Sequence, residues 1–343
     1  MMKQAVAAPP KAGGRVLSLD MIKGLCIVMV ILTHVPLTNE VKKAIFYPFT
    51  ILPAVPMFLM CSIYAFSLTE DRKNGDIFTW FSSRTFWRRA NRFLFPFLFS
   101  VGIIIAGLVL LSNLRRLAFA SFFKLVFLGG RGPGGYYVLI LFQLLVLFPF
   151  LRHFFCLNQI GTTLGLMAVH ICYETLCKMW GMNERVYNIL IFRFLTHLAL
   201  GFLLYYYHER MKGTALPAVA MIVRALYIIA AYYFGYRENL SYIPSMRSIF
   251  PAFYAFGALC YLLRTEAWLQ KAGGWIKPVL YIGKASFHIM LVQMVYFYFA
   301  RKLAFEGRFH SLLVVTAVDL AISLAAGCLF YWMDCRLRMI LKK

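Results

Sequence analysis

Nearly the whole chain is a succession of apolar runs of bilayer length separated by short polar turns, and this restricts what it can become. A membrane crossing takes roughly 20 apolar residues in helical form. Runs of that order occupy 17–37, 45–68, 93–112, 136–155, 160–178, 188–207, 217–235, 248–264, 277–300 and 309–333, of which 160–178 is the weakest. Hydrophobic residues make up 62% of the sequence and the mean hydropathy is +0.72, far above a soluble average of about 45–50% apolar. The runs are continuously apolar and do not alternate with period two, which disfavours a β-barrel. The expectation is an all-α, polytopic membrane protein with about ten transmembrane helices. It forms one transmembrane domain over residues 1–343, with 1–16 as a tail and no separate soluble domain, because no loop could carry its own core.

The formal charge of +23 raises the question of nucleic acid, but the basic residues gather at the ends of apolar runs, where they orient a protein against an anionic leaflet. No nucleic-acid partner is therefore expected; the expected surroundings are membrane lipid. An even number of spans puts both termini on one side. Lys3, Lys11, Arg15, Arg84, Arg88, Arg89, Arg92, Arg210, Lys212, Lys271, Lys277, Arg336, Arg338, Lys342 and Lys343 would share that side, which the positive-inside rule makes cytoplasmic. Arg115, Arg116, Arg237, Arg301 and Lys302 fall opposite. The first run lacks a small-residue cleavage site and reads as an uncleaved anchor in the inner or plasma membrane. Eight cysteines lie mostly inside apolar runs, without the short paired spacings of zinc or redox motifs, and read as buried apolar residues; no metal site is expected.

The run Leu17–Val35, LSLDMIKGLCIVMVILTHV, carries Asp20, Lys23 and His34 within its length. On a helix Lys23 and His34 fall within roughly 20° of one another and about 16 Å apart along the axis, with Asp20 one turn before Lys23. Each charge at mid-helix costs about 2.5–3.5 kcal/mol on translocon scales, so such groups face a protein interior or a watery cavity. The helix is expected to wall an internal site.

Elsewhere the polar residues admit two readings each. The segment FTWFSSRTFWRRANRFLFP is either an interfacial amphipathic helix anchored by Trp80 and Trp87 or a phosphate site in which Arg89 and Arg92, three apart, offer adjacent guanidinium forks. The glycines of GGRGPGG lack the context of a phosphate-cradling loop and instead permit a re-entrant or tightly turned backbone over a cavity. Gln143 is a cavity-lining or interhelical amide. Arg193 and His197, one turn apart, Arg224, Lys284 with His288, and Asp319 are functional groups, internal ion pairs or snorkelling side chains.

With Lys23, ten residues and His34 in its first run, the chain resembles acyltransferase family 3, bacterial integral-membrane enzymes that acylate cell-surface carbohydrates. LDMIKGLCIVMVILTHV is similar to that family's opening helix. VPMFLMCSIYAFS resembles its second, with Ile63 where Gly is common. RRANRFLFP resembles its Arg-x-x-Arg stretch ahead of Pro, GPGGYYVLILFQLLVLFPFL its fourth helix, and YIGKASFHIMLVQM its penultimate one. The last segment departs from the pattern, with Met290 and Gln293 where Tyr and His are frequent, so no family role passes to them. The resemblance covers about residues 17–335.

It implies that His34 is a general base taking the proton of an acceptor hydroxyl as it attacks a thioester. Imidazole suits this, being the side chain that titrates nearest neutral pH. It implies further that Lys23, Arg89 and Arg92 bind the phosphates of an acyl-CoA donor, with acetyl the default acyl group and acetyl-CoA a co-substrate rather than a resident cofactor. Asp20 would orient Lys23 or balance its charge. The acceptor would be an extracytoplasmic or lipid-linked carbohydrate. An acyl-histidine intermediate stays open. The competing expectation is a transporter or flippase, since intramembrane charges also mark substrate pathways, although the halves show no convincing internal repeat. No G-x-S-x-G elbow is present and no hydrolase-like domain is expected after the last run, so the chemistry is expected inside the membrane domain.

Overall fold

The computed structural model describes residues 16–70, 77–112, 123, 125–130, 132–235, 252–302 and 311–340. Lys3, Lys11, Arg15, Arg115, Arg116, Arg237, Lys342 and Lys343 lie outside the described residues, as do the tail 1–15 and the side chains of Arg301 and Lys302. The described residues are helical, with no strand among them. Ten principal helices follow one another: α1 Leu17–Leu32, α2 Ala54–Glu70, α3 Arg84–Ser112, α4 Tyr136–Leu157, α5 Gln159–Trp180, α6 Leu195–Met211, α7 Leu216–Tyr233, α8 Ala252–Leu263, α9 Lys277–Lys302 and α10 Leu312–Ile340. Short helices at Asn39–Ala44, Tyr47–Thr50, Ile77–Ser82, Glu184–Ile189 and Glu266–Lys271 connect them.

Each expected apolar run contains or overlaps one of these helices, but only six helical stretches among the described residues are long and apolar enough to cross a bilayer: Tyr47–Thr69, Arg84–Leu111, Tyr136–Leu157, Gln159–Trp180, Gly274–Ala300 and Leu312–Ile340. α1 has 16 residues, α6 has 17, α8 has 12, and the apolar part of α7 ends at Ala231. Two boundaries differ from expectation for identifiable reasons. α1 stops at Leu32 and not near 37, because Pro36 disfavours helical backbone at the residue before it, and the Thr33 hydroxyl turns back to the Val30 carbonyl at 2.7 Å. α3 begins at Arg84 and runs through Pro96, so the basic segment, for which an interfacial helix was one of two readings, forms the first turns of a long helix. The hydroxyl of Ser100 bonds the Pro96 carbonyl at 2.9 Å within that ladder.

α2 sits centrally: 83% of the apolar window of Tyr47–Thr69 is buried, against 22% for that of Leu312–Ile340 at the periphery. α1 lies between α2 and α9 and packs most extensively on α9. Two glycines make that crossing close: a β-carbon on Gly283 would lie 1.8 Å from the Asp20 carbonyl oxygen, and one on Gly24 would lie 2.6 Å from the Val279 carbonyl oxygen. In a bilayer, where lipid is as apolar as leucine, small residues at a crossing allow the backbone contact that holds helices together. α6 packs on α2 in the same manner, with Gly201 against Ile63. The N-terminus of α1 has no cap from its own chain segment; Glu266 supplies one, accepting from the Leu17 and Ser18 N–H groups at 3.1 and 2.7 Å. Burial works against the charge on Glu266, but these donors outweigh it and hold the carboxyl below its usual range.

The cysteines only partly follow expectation. Cys26, Cys61, Cys177 and Cys260 are buried, whereas Cys156 and Cys172 are exposed on α4 and α5; all eight are free thiols. The outward faces of α5, α7 and α10 carry exposed Leu164, Met179, Leu226, Leu313 and Leu329, the pattern of helices that meet lipid.

Candidate active site

A cavity of about 570 Å³ lies among α1, α2, α3, α4 and α9. α1 contributes Asp20 and Lys23 to its wall, the turn after α1 contributes His34, α3 contributes Arg89 and Arg92, and α9 contributes Lys284. The rest is largely apolar and aromatic, with Phe58, Phe66, Phe93, Tyr137 and Met290 among the lining residues.

The Gly24–Gly283 crossing sets one end. Lys23 and Lys284 are the immediate neighbours of those glycines, and Asp20 lies at the contact, so two cations and a carboxylate share one level. Asp20 is buried and Lys23 half-buried. Arg89 and Arg92 reach the same cavity from the first turns of α3. The Arg89 guanidinium lies 4.4 Å from the Phe66 ring centroid and 5.4 Å from that of Trp80, whose indole N–H donates to the Leu145 carbonyl at 3.2 Å. This aromatic cradle fixes the plane of a fork that suits phosphate oxygens. Four cations against one carboxylate give this end a net positive charge.

The other end belongs to His34. It occupies the turn just beyond α1, not the helix itself, with its N–H donating to the Ile31 carbonyl at 3.0 Å, and its half-buried ring meets Phe297 of α9 edge to face at 5.7 Å. The glycine-rich turn closes over the cavity here through Gly132, Pro133 and Gly134, as a tightly turned backbone was expected to do. Its compactness requires glycine: a β-carbon on Gly135 would sit 1.8 Å from the Gly129 carbonyl oxygen, and one on Gly132 would sit 2.2 Å from the Met294 carbonyl oxygen.

Six residues from the sequence reading, Gln143, Arg193, His197, Arg224, His288 and Asp319, do not line this cavity. Gln143 spends its amide on the segment ahead of α6, donating to the Ile189 carbonyl at 2.7 Å and accepting from the Ile191 N–H at 3.0 Å. Its role is interhelical, one of the two readings its position allowed. Arg193 is buried between the rings of Tyr187 and Phe194, at 4.6 and 4.9 Å, and bonds Asn188. His197 is fully buried in the same cluster. That cluster has members the sequence reading did not single out: His170, 2.9 Å from the Thr196 hydroxyl, and Glu174, which accepts from the Tyr187 hydroxyl at 2.6 Å. The signal was present, since His170 and Glu174 are an i, i+4 pair in an apolar run. His288 pairs with Asp334 at 3.0 Å, and Arg338 donates to both Asp334 oxygens, a structural tie between α9 and α10. Lys284 is the residue whose placement adds most: among several intramembrane charges of equal standing, it alone joins Lys23, Arg89 and Arg92. Among the described residues no group of three or more His, Cys, Asp or Glu side chains is arranged to hold a metal ion.

The model of the acyltransferase domain family, acyltransferase family 3, matches residues 16–332. The chain belongs to this family. The match takes in every wall of the cavity, from Asp20 to Met290, so this acyltransferase 3 protein carries acyl transfer as its general activity and is a multi-pass membrane protein. No curated protein and no solved structure matches this family member.

Proposed function

We propose that this protein transfers a short acyl group, acetyl by default, from acyl-CoA to a hydroxyl of an extracytoplasmic or lipid-linked carbohydrate, crossing the membrane ten times with both termini in the cytoplasm. The observation that carries this reading is that one cavity holds a four-cation cluster at one end and a histidine at the other. A donor with a polyphosphate head and a long neutral arm ending in a thioester matches that division. Lys23, Arg89, Arg92 and Lys284 hold the phosphates, Asp20 sets the position of Lys23, and the arm lies along the apolar wall toward His34. The acceptor hydroxyl enters from the opposite side. His34 takes its proton as the oxygen attacks the thioester carbon; the tetrahedral intermediate then collapses, and the proton passes from the imidazolium to the departing CoA thiolate.

The test is purified protein in detergent with acetyl-CoA, following CoA binding and thiol release for wild type, His34→Ala and Lys23→Ala. His34→Ala is expected to bind CoA as wild type does and to lose roughly 100- to 10,000-fold in turnover, the usual worth of a positioned base. Lys23→Ala is expected to weaken binding. A wild type that neither binds nor consumes any short acyl-CoA, with or without surface-glycan extract, overturns the reading and directs attention to transport in vesicles.

A further inference from the structure

The side chain of Gln293 on α9 is fully buried, and neither its Nε2 nor its Oε1 has a hydrogen-bond partner among the described residues. A buried amide with all its donors and acceptors unmet is destabilising in the unliganded protein, and such groups in native structures point to a missing partner. Its location says which partner. On α9, Met290 lines the cavity one turn before it, and Phe297 meets the His34 ring one turn after it. Residues 290 and 297 share a face, with 293 about 60° round from Met290 on the same side. Gln293 is therefore level with the stretch between the apolar wall and His34. Gly134, a cavity-lining residue at φ +84°, lies against this amide: a β-carbon there would lie 3.6 Å from the Gln293 Nε2. Being glycine, it places no side chain between the amide and the cavity at that point.

We propose that Gln293 is a catalytic residue: its Nε2–H donates to the thioester carbonyl oxygen of the acyl donor and to the oxyanion formed from it. The inference rests on the acyl-transfer reading of the cavity. As the hydroxyl oxygen bonds to the thioester carbon and His34 takes the proton, the carbonyl π pair moves to oxygen, where the Gln293 N–H meets it. Collapse of that oxyanion restores the C=O and breaks the C–S bond, with CoA leaving as the thiol once the His34 proton is returned. The donor is met only when the oxygen arrives, in keeping with catalytic hydrogen bonds that close only in the reacting complex.

The experiment compares wild type with Gln293→Leu and Gln293→His in detergent, measuring kcat and KM for acetyl-CoA by thiol release, Kd for CoA, and the thermal unfolding midpoint. Gln293→Leu, which keeps the volume and removes the donor, is expected to lose about 100- to 1,000-fold in kcat, the scale of a deleted oxyanion donor. Its KM and CoA Kd should stay within about threefold and its unfolding midpoint should be equal to or above wild type, since an unmet amide has been replaced by an apolar group. Gln293→His, which retains an N–H, is expected to recover at least about tenfold of that loss. Turnover of Gln293→Leu within about threefold of wild type overturns the inference while leaving the acyl-transfer reading standing. So does a loss of turnover that comes with a lowered midpoint or lost CoA binding, which marks the amide as structural or as part of the head-group site. A wild type that neither binds nor consumes any short acyl-CoA, with or without surface-glycan extract, removes both.

Discussion

At the scale of the residue, Arg89 shows why charge alone does not define this site. Its guanidinium is stacked between Phe66 and Trp80, so its plane is set before a ligand arrives, whereas Arg92 on the next turn is exposed. Arg89→Lys keeps the charge but forfeits the planar fork and the stacking. We expect CoA affinity to fall roughly tenfold, with kcat at saturating acetyl-CoA unchanged, measured by calorimetry and thiol release; removal of a cation–π contact and one fork is of that order. Arg92→Lys is expected to cost less. Helical spacing put Lys23 and His34 on one face, the family resemblance implied that Arg89 and Arg92 act with them, and one cavity holds all four. The sequence did not separate Lys284 from the other intramembrane charges, because lone basic residues on apolar helices look alike until neighbouring helices are placed. Nor did it show Gln293 to be unpartnered, since satisfaction of an amide is a property of its surroundings.

Helices impose a different kind of constraint. α1 and α9 touch backbone to backbone at Gly24 and Gly283, and this contact brings Lys23, Asp20 and Lys284 together. Gly283→Ala forces the helices apart and is expected to destabilise by about 1–3 kcal/mol, the usual scale of overpacking, and to weaken CoA binding through displaced cations. Gly102 on α3 is the control: it is exposed with nothing within 4 Å of a β-carbon, so Gly102→Ala should be neutral or stabilise by about 0.5–1 kcal/mol. Thermal unfolding of the two variants in detergent separates these outcomes. Helix ends were less legible in the sequence than helix existence. Apolarity runs on through Val35, and only the restriction imposed by Pro36 ends α1 early. Conversely, the helix expected from residue 93 starts at Arg84, because the basic first turns of α3 are helical without being apolar. Ile63, where glycine is common in the family, faces Gly201 of α6: the small residue is still at that contact but on the other helix.

For the molecule as a whole, composition and run length alone point to an all-helical membrane protein, and the family match covers the same stretch. The number of crossings was less accessible to sequence, because α1, α6, α7 and α8 are shorter than the runs they overlap. The proposed ten-span arrangement makes a sidedness prediction. A fluorescent protein fused after Lys343 should fluoresce in cells, and alkaline phosphatase at the same point should be inactive; the reverse would place the cation cluster on the side away from cytoplasmic CoA.

The two ends of the cavity are also unequal in how freely they can diverge over generations. The cation end is pinned by a crossing where neither Gly24 nor Gly283 accommodates a side chain, whereas at the other end Gly132 and Gly135 are pinned in the same way but His34 itself hangs in a turn beyond its helix. On the proposed function, a change of acceptor can come through outer residues other than these pinned glycines, while the Gly24–Gly283 crossing keeps the same grip on the donor.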